Sequence, residues 1–279
     1  MAYAGALGRA GDRRRQFRVL SQLARRGVTH ASRAIASWPL SAAELVDALA
    51  APLDRWAPLE ELMAAWHGGL GPADGFAPEE VDAAERRLGL RLPLALREWL
   101  TLAARAGAVR WLNTPFSPQE LEVRDCALVF WQECQGVGHW GVPLALLGRP
   151  DPPVYLFARD DDDQCDLQNE RLSQFVAQML LHETCALAHA MAEPLPPEHA
   201  QEVTRDLVLL GLPDWSFPAA PTRFYAGDDL LVLTAGEVDR RTAAEVAFWW
   251  VYVASRRPEA LDRFLGTLSP PVRGHFRVE

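Results

Sequence analysis

The sequence predicts an α+β fold: an antiparallel or mixed central sheet flanked by helices, with a C-terminal strand-helix extension. Three observations predict it. Helical signals gather before Gly107, strand signals run from Leu121 to Ala158, and both kinds return after Pro194. Such segregation argues against regular strand-helix-strand units. The 279 residues, 49% hydrophobic and 23% charged, suffice for a sizeable core in one large domain or two small ones. The longest apolar run, Val246 to Ser255, is far short of the ~18 residues that a membrane span needs.

Residues 1–38 are an arginine-rich tail expected to lack fixed structure. Arg14-Arg15-Gln16-Phe17 spells a twin-arginine export motif, but Arg25, Arg26 and His30 interrupt the apolar stretch such a signal requires. The body is expected to begin near Ser41, where Ser41 and Glu44 form a capping-box pattern. Leu45, Leu49, Leu53, Trp56, Leu59, Met63 and Trp66 follow at helical spacing, with Pro52 and Pro58 expected to break or kink the run. Pro78 opens the next helix, Glu79, Glu80 and Asp82 suit its positive end, and Gly89 ends it. Pro93 opens another, with Leu96, Trp99, Leu100 and Ala103 on one face.

Ala127 to Cys134 reads as a strand, Gly136 to Gly138 as a turn, and His139 to Val142 as the partner strand. Asp151-Pro152-Pro153 precedes a third strand, Val154 to Ala158. Ser173 is expected to cap a helix running to about Ala192. Residues 39–195 therefore make one domain. Residues 196–279 are expected to pack on it as an extension: a short helix near Glu198 to Leu210, a hairpin around Gly227-Asp228, a buried strand Phe248 to Ala254 and a closing helix from Pro258 to Leu268.

Charge is uneven. The net charge is -9, yet the first 33 residues hold eight arginines against Asp12, so the remainder carries -16. A body that acidic repels nucleic acid and anionic membrane and attracts basic partners. Every basic side chain is arginine, a codon bias of GC-rich, bacterial type. Cys126, Cys134, Cys165 and Cys185 form no C-x-x-C pair, which fits a reduced cytoplasm.

Several chemical motifs fail on context. Gly136-Val137-Gly138-His139-Trp140-Gly141 spells G-x-G-x-x-G, but Pro143 and Gly148-Arg149-Pro150 prevent the helix whose N-terminus would hold a pyrophosphate. Asp160, Asp161, Asp162 and Asp163 lack the glycine and distal glutamate of an EF-hand loop and read as an exposed acidic loop, a contact for a basic partner. His182-Glu183 starts a zinc-protease motif that Ala186 ends. His182, Cys185 and His189, at i, i+3 and i+7, are expected to share one helix face, with Cys165 or His199 as a fourth ligand. Solvated or half-buried side chains are the simpler account, so neither cofactor nor metal is expected. Trp131 and Trp140 are candidates for a groove wall, against a core position. One of Trp249 and Trp250 should face away from the core.

Gly75 to Leu100, GFAPEEVDAAERRLGLRLPLALREWL, resembles the entry segment of the SUKH superfamily, which includes fungal cell-wall-assembly regulators and bacterial immunity proteins. Glu85, Leu88, Gly89, Leu92, Pro93 and Trp99 match its pattern of a helix ending in E-x-x-L-G, an L-P link and a second helix with a late aromatic. Phe130-Trp131-Gln132-Glu133-Cys134-Gln135-Gly136, Trp140-Gly141-Val142, Asp151-Pro152-Pro153-Val154-Tyr155 and Ser173-Gln174-Phe175 are similar to its later blocks, in the same order.

The resemblance implies a non-catalytic α+β protein that binds another protein. In bacteria that partner is a toxin, often a basic nuclease. Glu133, Gln135, Trp140 and Asp160 to Asp163 are the candidate partner-binding residues. Glu85, Leu88, Gly89, Leu92, Pro93, Trp99, Trp131 and Pro153 are structural. A regulatory scaffold without a toxin is the alternative, and a metal protein or enzyme using His182, Cys185 and His189 the remoter one.

Overall fold

The computed structural model describes residues 55–278 apart from 125, 159–164, 216, 218 and 239–245. The expected N-terminal tail and the Ser41 capping box lie outside the described residues. The fold is α+β, with antiparallel sheets flanked by helices. Two six-stranded sheets are present where the sequence suggested one. The described chain divides into two compact units between Glu183 and Thr184.

In the first unit, α1 is Ala57–His67. Pro58 falls in its first turn, where the missing N–H costs nothing, so the proline starts the helix instead of breaking it. The α2 helix (Pro78–Leu88) ends where Gly89 adopts a left-handed φ of 66°. After a short link, α3 (Leu94–Leu102) begins behind Pro93. Glu85 explains the corner between them. Its buried carboxylate accepts the Leu92 N–H at 2.8 Å and pairs with Arg97 at 2.8 Å and Arg91 at 3.2 Å. Hydrogen bonds to a charged group contribute ~1.5–3 kcal/mol, so Glu85→Ala should cost about 2 kcal/mol in denaturant unfolding. An unchanged midpoint would mean that Gly89 and Pro93 form the corner unaided.

The first sheet runs β1 (Thr114–Pro115), β3 (Ala127–Gln132), β4 (Gly138–Pro143), β5 (Val154–Ala158), β6 (Cys165–Asn169), with β2 (Glu122–Arg124) also on β3. A bulge between Val129 and Trp131 turns Phe130 and Trp131 to the same side. There Trp99 of α3 stacks on Trp131 at 5.1 Å. Phe175 of α4 (Leu172–Ala186) meets Trp131 at 5.7 Å and Trp140 at 5.9 Å. This face is the core of the unit. Gly141 lies so close to β3 that an added Cβ would sit 2.8 Å from the Leu128 carbonyl oxygen. Ser173 does not itself cap α4: the Asp151 carboxylate accepts from Ser173 N (2.9 Å) and Oγ (2.6 Å).

The second unit has its own sheet, β12 (Phe276–Val278), β7 (Ala190–Leu195), β11 (Val246–Ser255), β10 (Leu230–Val238), β9 (Thr222–Gly227), β8 (Val208–Leu209). The helix expected to reach Ala192 stops at Ala186, and β7 takes its last residues. The expected hairpin is present: Gly227 pairs with Leu230 across Asp228-Asp229. The strand expected as Phe248 to Ala254 is longer, and only its second half is buried. The helices α5 (Pro197–Thr204), α6 (Pro258–Thr267) and α7 (Pro270–Arg273) supply Ala200, Val203, Leu261, Leu265 and Val272 to a core with Ala192, Val232, Val251 and Val253. Asp229 (φ 62°) is paired with Arg256 and Arg257, closing the hairpin turn onto the end of β11.

Candidate functional site

Strand register decides which residues of the first sheet face outward. Directly opposed residues of antiparallel strands share a face. Trp131, Trp140 and Leu156 lie in one row, on the core side. The next row, Gln132, His139, Phe157 and Cys165, lies on the other side, as does the row Gly141, Tyr155 and Leu167.

Trp140 is therefore corrected as a partner-binding candidate. It is fully buried, packed on Phe175, and so is Trp131. Neither lines a groove. Glu133 is also buried, and its carboxylate staples the turn between β3 and β4. It accepts the N–H of Gln135 at 2.7 Å and of Val137 at 3.3 Å, and the Cys134 thiol at 3.1 Å. The G-x-G-x-x-G glycines serve this hairpin. Gly136 holds a φ of 70°, and its N–H donates to Glu133 O at 2.9 Å. Gln135 is half-buried beside them. Asp160, Asp161, Asp162 and Asp163 lie outside the described residues, on the connection from β5 to β6.

Behind the turn lies a buried network. Glu183 of α4 accepts Leu112 N at 2.5 Å, Asn113 N at 3.1 Å and Asn113 Nδ2 at 2.9 Å. Asn113 Oδ1 accepts Cys134 N at 3.2 Å. Two side chains, Glu183 and Asn113, thus tie helix, loop and strand end together. Cys185 is fully buried, which pushes its thiol far above the ordinary range. Cys134 is exposed at the surface, and its thiol is raised by partial desolvation and by the charge of Glu133, the opposite of the shift that activates a nucleophile.

The proposed metal face does not form. His182 and Cys185 are buried on α4, but His189 lies past the helix end. Its N–H donates to Val253 O at 2.9 Å, and its Nδ1 accepts Ser255 N at 3.0 Å. Burial lowers its pKa. Among the described residues no group of three His, Cys, Asp or Glu could hold a metal ion. No helix among them is long and apolar enough to cross a membrane.

The residues of the structural motif all serve the fold. Glu85, Leu92, Trp99, Trp131 and Pro153 are buried, Leu88 is half-buried, and Gly89 and Pro93 set the corner. On the opposite face Tyr155 and Phe157 are half-buried and Leu167 is 45% exposed, and no local pattern in the sequence singles them out. Phe157 stacks on His139 at 5.4 Å. In the second unit Trp249 and Trp250 are both half-buried, and Arg223 lies 5.7 Å over the Trp249 ring. Phe248, beside them, is exposed. Comparison with family models, with curated proteins and with solved structures gives no match.

Proposed function

We propose that the chain is a non-catalytic, cytoplasmic protein-binding module of SUKH type, an immunity protein that covers the active site of a basic, nuclease-type toxin. One observation carries the reading. The residues that resemble the SUKH pattern are spent on a corner that docks through Trp99 onto the first sheet, while the chain after residue 33 carries -16. A nuclease surface that holds nucleic acid is basic, so an acidic protein complements it and is steered to it.

Affinity capture with the tagged chain, at low and at moderate salt, tests this. The expected result is one basic protein near one-to-one, released as salt rises, whose nuclease activity the chain inhibits. Replacing Asp160, Asp161, Asp162 and Asp163 together with asparagine should then slow association by about tenfold and flatten its salt dependence. An unchanged on-rate removes that loop from the interface. Recovery of several neutral housekeeping proteins, with no inhibition of any nuclease, would overturn the toxin reading in favour of a scaffold.

A further inference from the structure

In the first unit two helical segments meet at the surface and leave leucines uncovered. The first turn of α3 is joined to the loop after β4 by one hydrogen bond, Ala95 N–H to Pro150 O at 2.8 Å. That loop is tightly wound. Leu144–Leu146 is a 3₁₀ turn, Leu147 N–H donates to Leu144 O at 3.3 Å, and Arg149 N–H donates to Leu146 O at 3.0 Å. Helix α3 buries Ala95, Leu96, Trp99 and Leu100 but leaves Leu94 48% exposed. Across the joint Leu144 is 39% exposed, and Leu146 and Leu147 are half-buried. A single exposed leucine is ordinary; leucines from two joined segments are the start of a contact surface.

Charge selects the occupant. Residues 86–97 hold four arginines and no acid, and residues 144–150 hold Arg149 and no acid. Arg87 and Arg97 are spent inside the fold, on Pro118 O, Leu121 O and Asp82. Arg91 and Arg149 are not: the Arg91 side chain is 91% exposed, and Arg149 is exposed. The acids nearest in sequence are already engaged. Glu85 is shared by Arg91 and Arg97, Glu98 accepts from Trp56, and Asp151 holds Ser173. Salt confines a surface charge to a reach of ~8–10 Å. A short segment lying here therefore meets the two arginines, whereas an anionic bilayer meets the whole acidic body and is repelled.

We propose that Leu94 and the turn from Leu144 to Leu147 form a docking surface for an acidic amphipathic helix of a partner protein. Its apolar side chains lie on these leucines, and its carboxylates face Arg91 and Arg149. Both segments are helical turns, so side chains carry the contact in place of strand pairing. The inference is independent of the toxin reading, whose partner is basic.

The test uses the full chain and three labelled peptides of about fifteen residues, roughly four helical turns. In the first, leucines recur at i, i+3, i+4 and i+7 among glutamates. In the second, arginines replace the glutamates; in the third, serines replace the leucines. The first peptide should bind, weakening as salt rises, and the other two should bind at least about tenfold more weakly. Leu94→Glu should weaken the first peptide by about tenfold or more with the unfolding midpoint unchanged. Arg149→Gln should weaken it by about threefold and flatten the salt dependence. Leu209→Glu, at a position 52% exposed on β8, should leave it unchanged. The bound peptide should also slow alkylation of exposed Cys126, whose carbonyl accepts Leu144 N–H, and leave exposed Cys165 on β6 unaffected.

No binding of the acidic peptide, equal binding of the arginine or serine peptide, or undiminished binding by the Leu94→Glu chain would each overturn the proposal. So would protection of Cys165 without Cys126, which places the peptide elsewhere. Sedimentation with vesicles containing one anionic lipid in three, on the order of a cytoplasmic leaflet's charge, covers the remaining occupant. Binding to those vesicles that Leu94→Glu abolishes, with the acidic peptide ignored, would make the surface a bilayer contact and overturn the helix.

Discussion

Replacing Glu183 with alanine is expected to lower the free energy of unfolding by about 3–5 kcal/mol, the range for breaking a buried charged network by removing one partner. The side chain is fully buried, and three donors converge on it from Leu112 and Asn113. Alanine leaves all three facing apolar surroundings, and an unsatisfied buried donor costs ~1–3 kcal/mol. Asn113 would lose its orientation, and with it the Oδ1 that accepts Cys134 N at the end of β3. Glu183→Gln should cost less, about 1–3 kcal/mol, because the amide keeps the shape and one acceptor. Its nitrogen must then face a donor. Urea unfolding followed by tryptophan fluorescence measures both. Equal losses for the two variants would mean that shape, not acceptor capacity, holds the site. A native midpoint for alanine would remove the network from the account of stability.

This network shows where the sequence was legible and where it was not. In the sequence Glu183 stands out only as the second letter of an incomplete zinc-protease motif. Its partners are some 70 residues away in the chain, and no local pattern announces a contact of that separation. The corner around Gly89 and Pro93 was legible because its causes are local: a residue free to adopt positive φ and one that cannot continue a helix backward. Even there the role of Glu85 was not, since its hydrogen bond to Leu92 forms only when the link folds back.

The strands β3, β4 and β5 were legible from composition, but their faces were not. Val154-Tyr155-Leu156-Phe157 is apolar at every position, so alternation says nothing about which rings point out. The bulge at Phe130 shifts the period again and puts Trp131 and Trp140 together on the inner side. Strand β6 was invisible because Cys165 to Asn169 has neither alternation nor β-branched residues. The early end of α4 had no local signal either. Residues 187–192 are leucine, alanine, histidine and methionine, which favour helix at least as well as strand. Pairing on both sides, with β11 and β12, overrides that preference. Those pairings give residues 184–279 a sheet and core of their own.

Trp99→Ala is the second large effect expected, about 3–5 kcal/mol, the usual loss when a buried aromatic is truncated. Trp99 is fully buried, stacks on Trp131 and meets Phe130 edge-on at 6.4 Å. The cavity would open between α3 and β3, where the motif corner is fastened to the sheet. Trp99→Phe should cost roughly half as much, because one ring still fills the contact with Trp131 and Phe130. The indole N–H it removes has no acceptor among the described residues, so no hydrogen bond is lost with it. Denaturant midpoints order the three proteins.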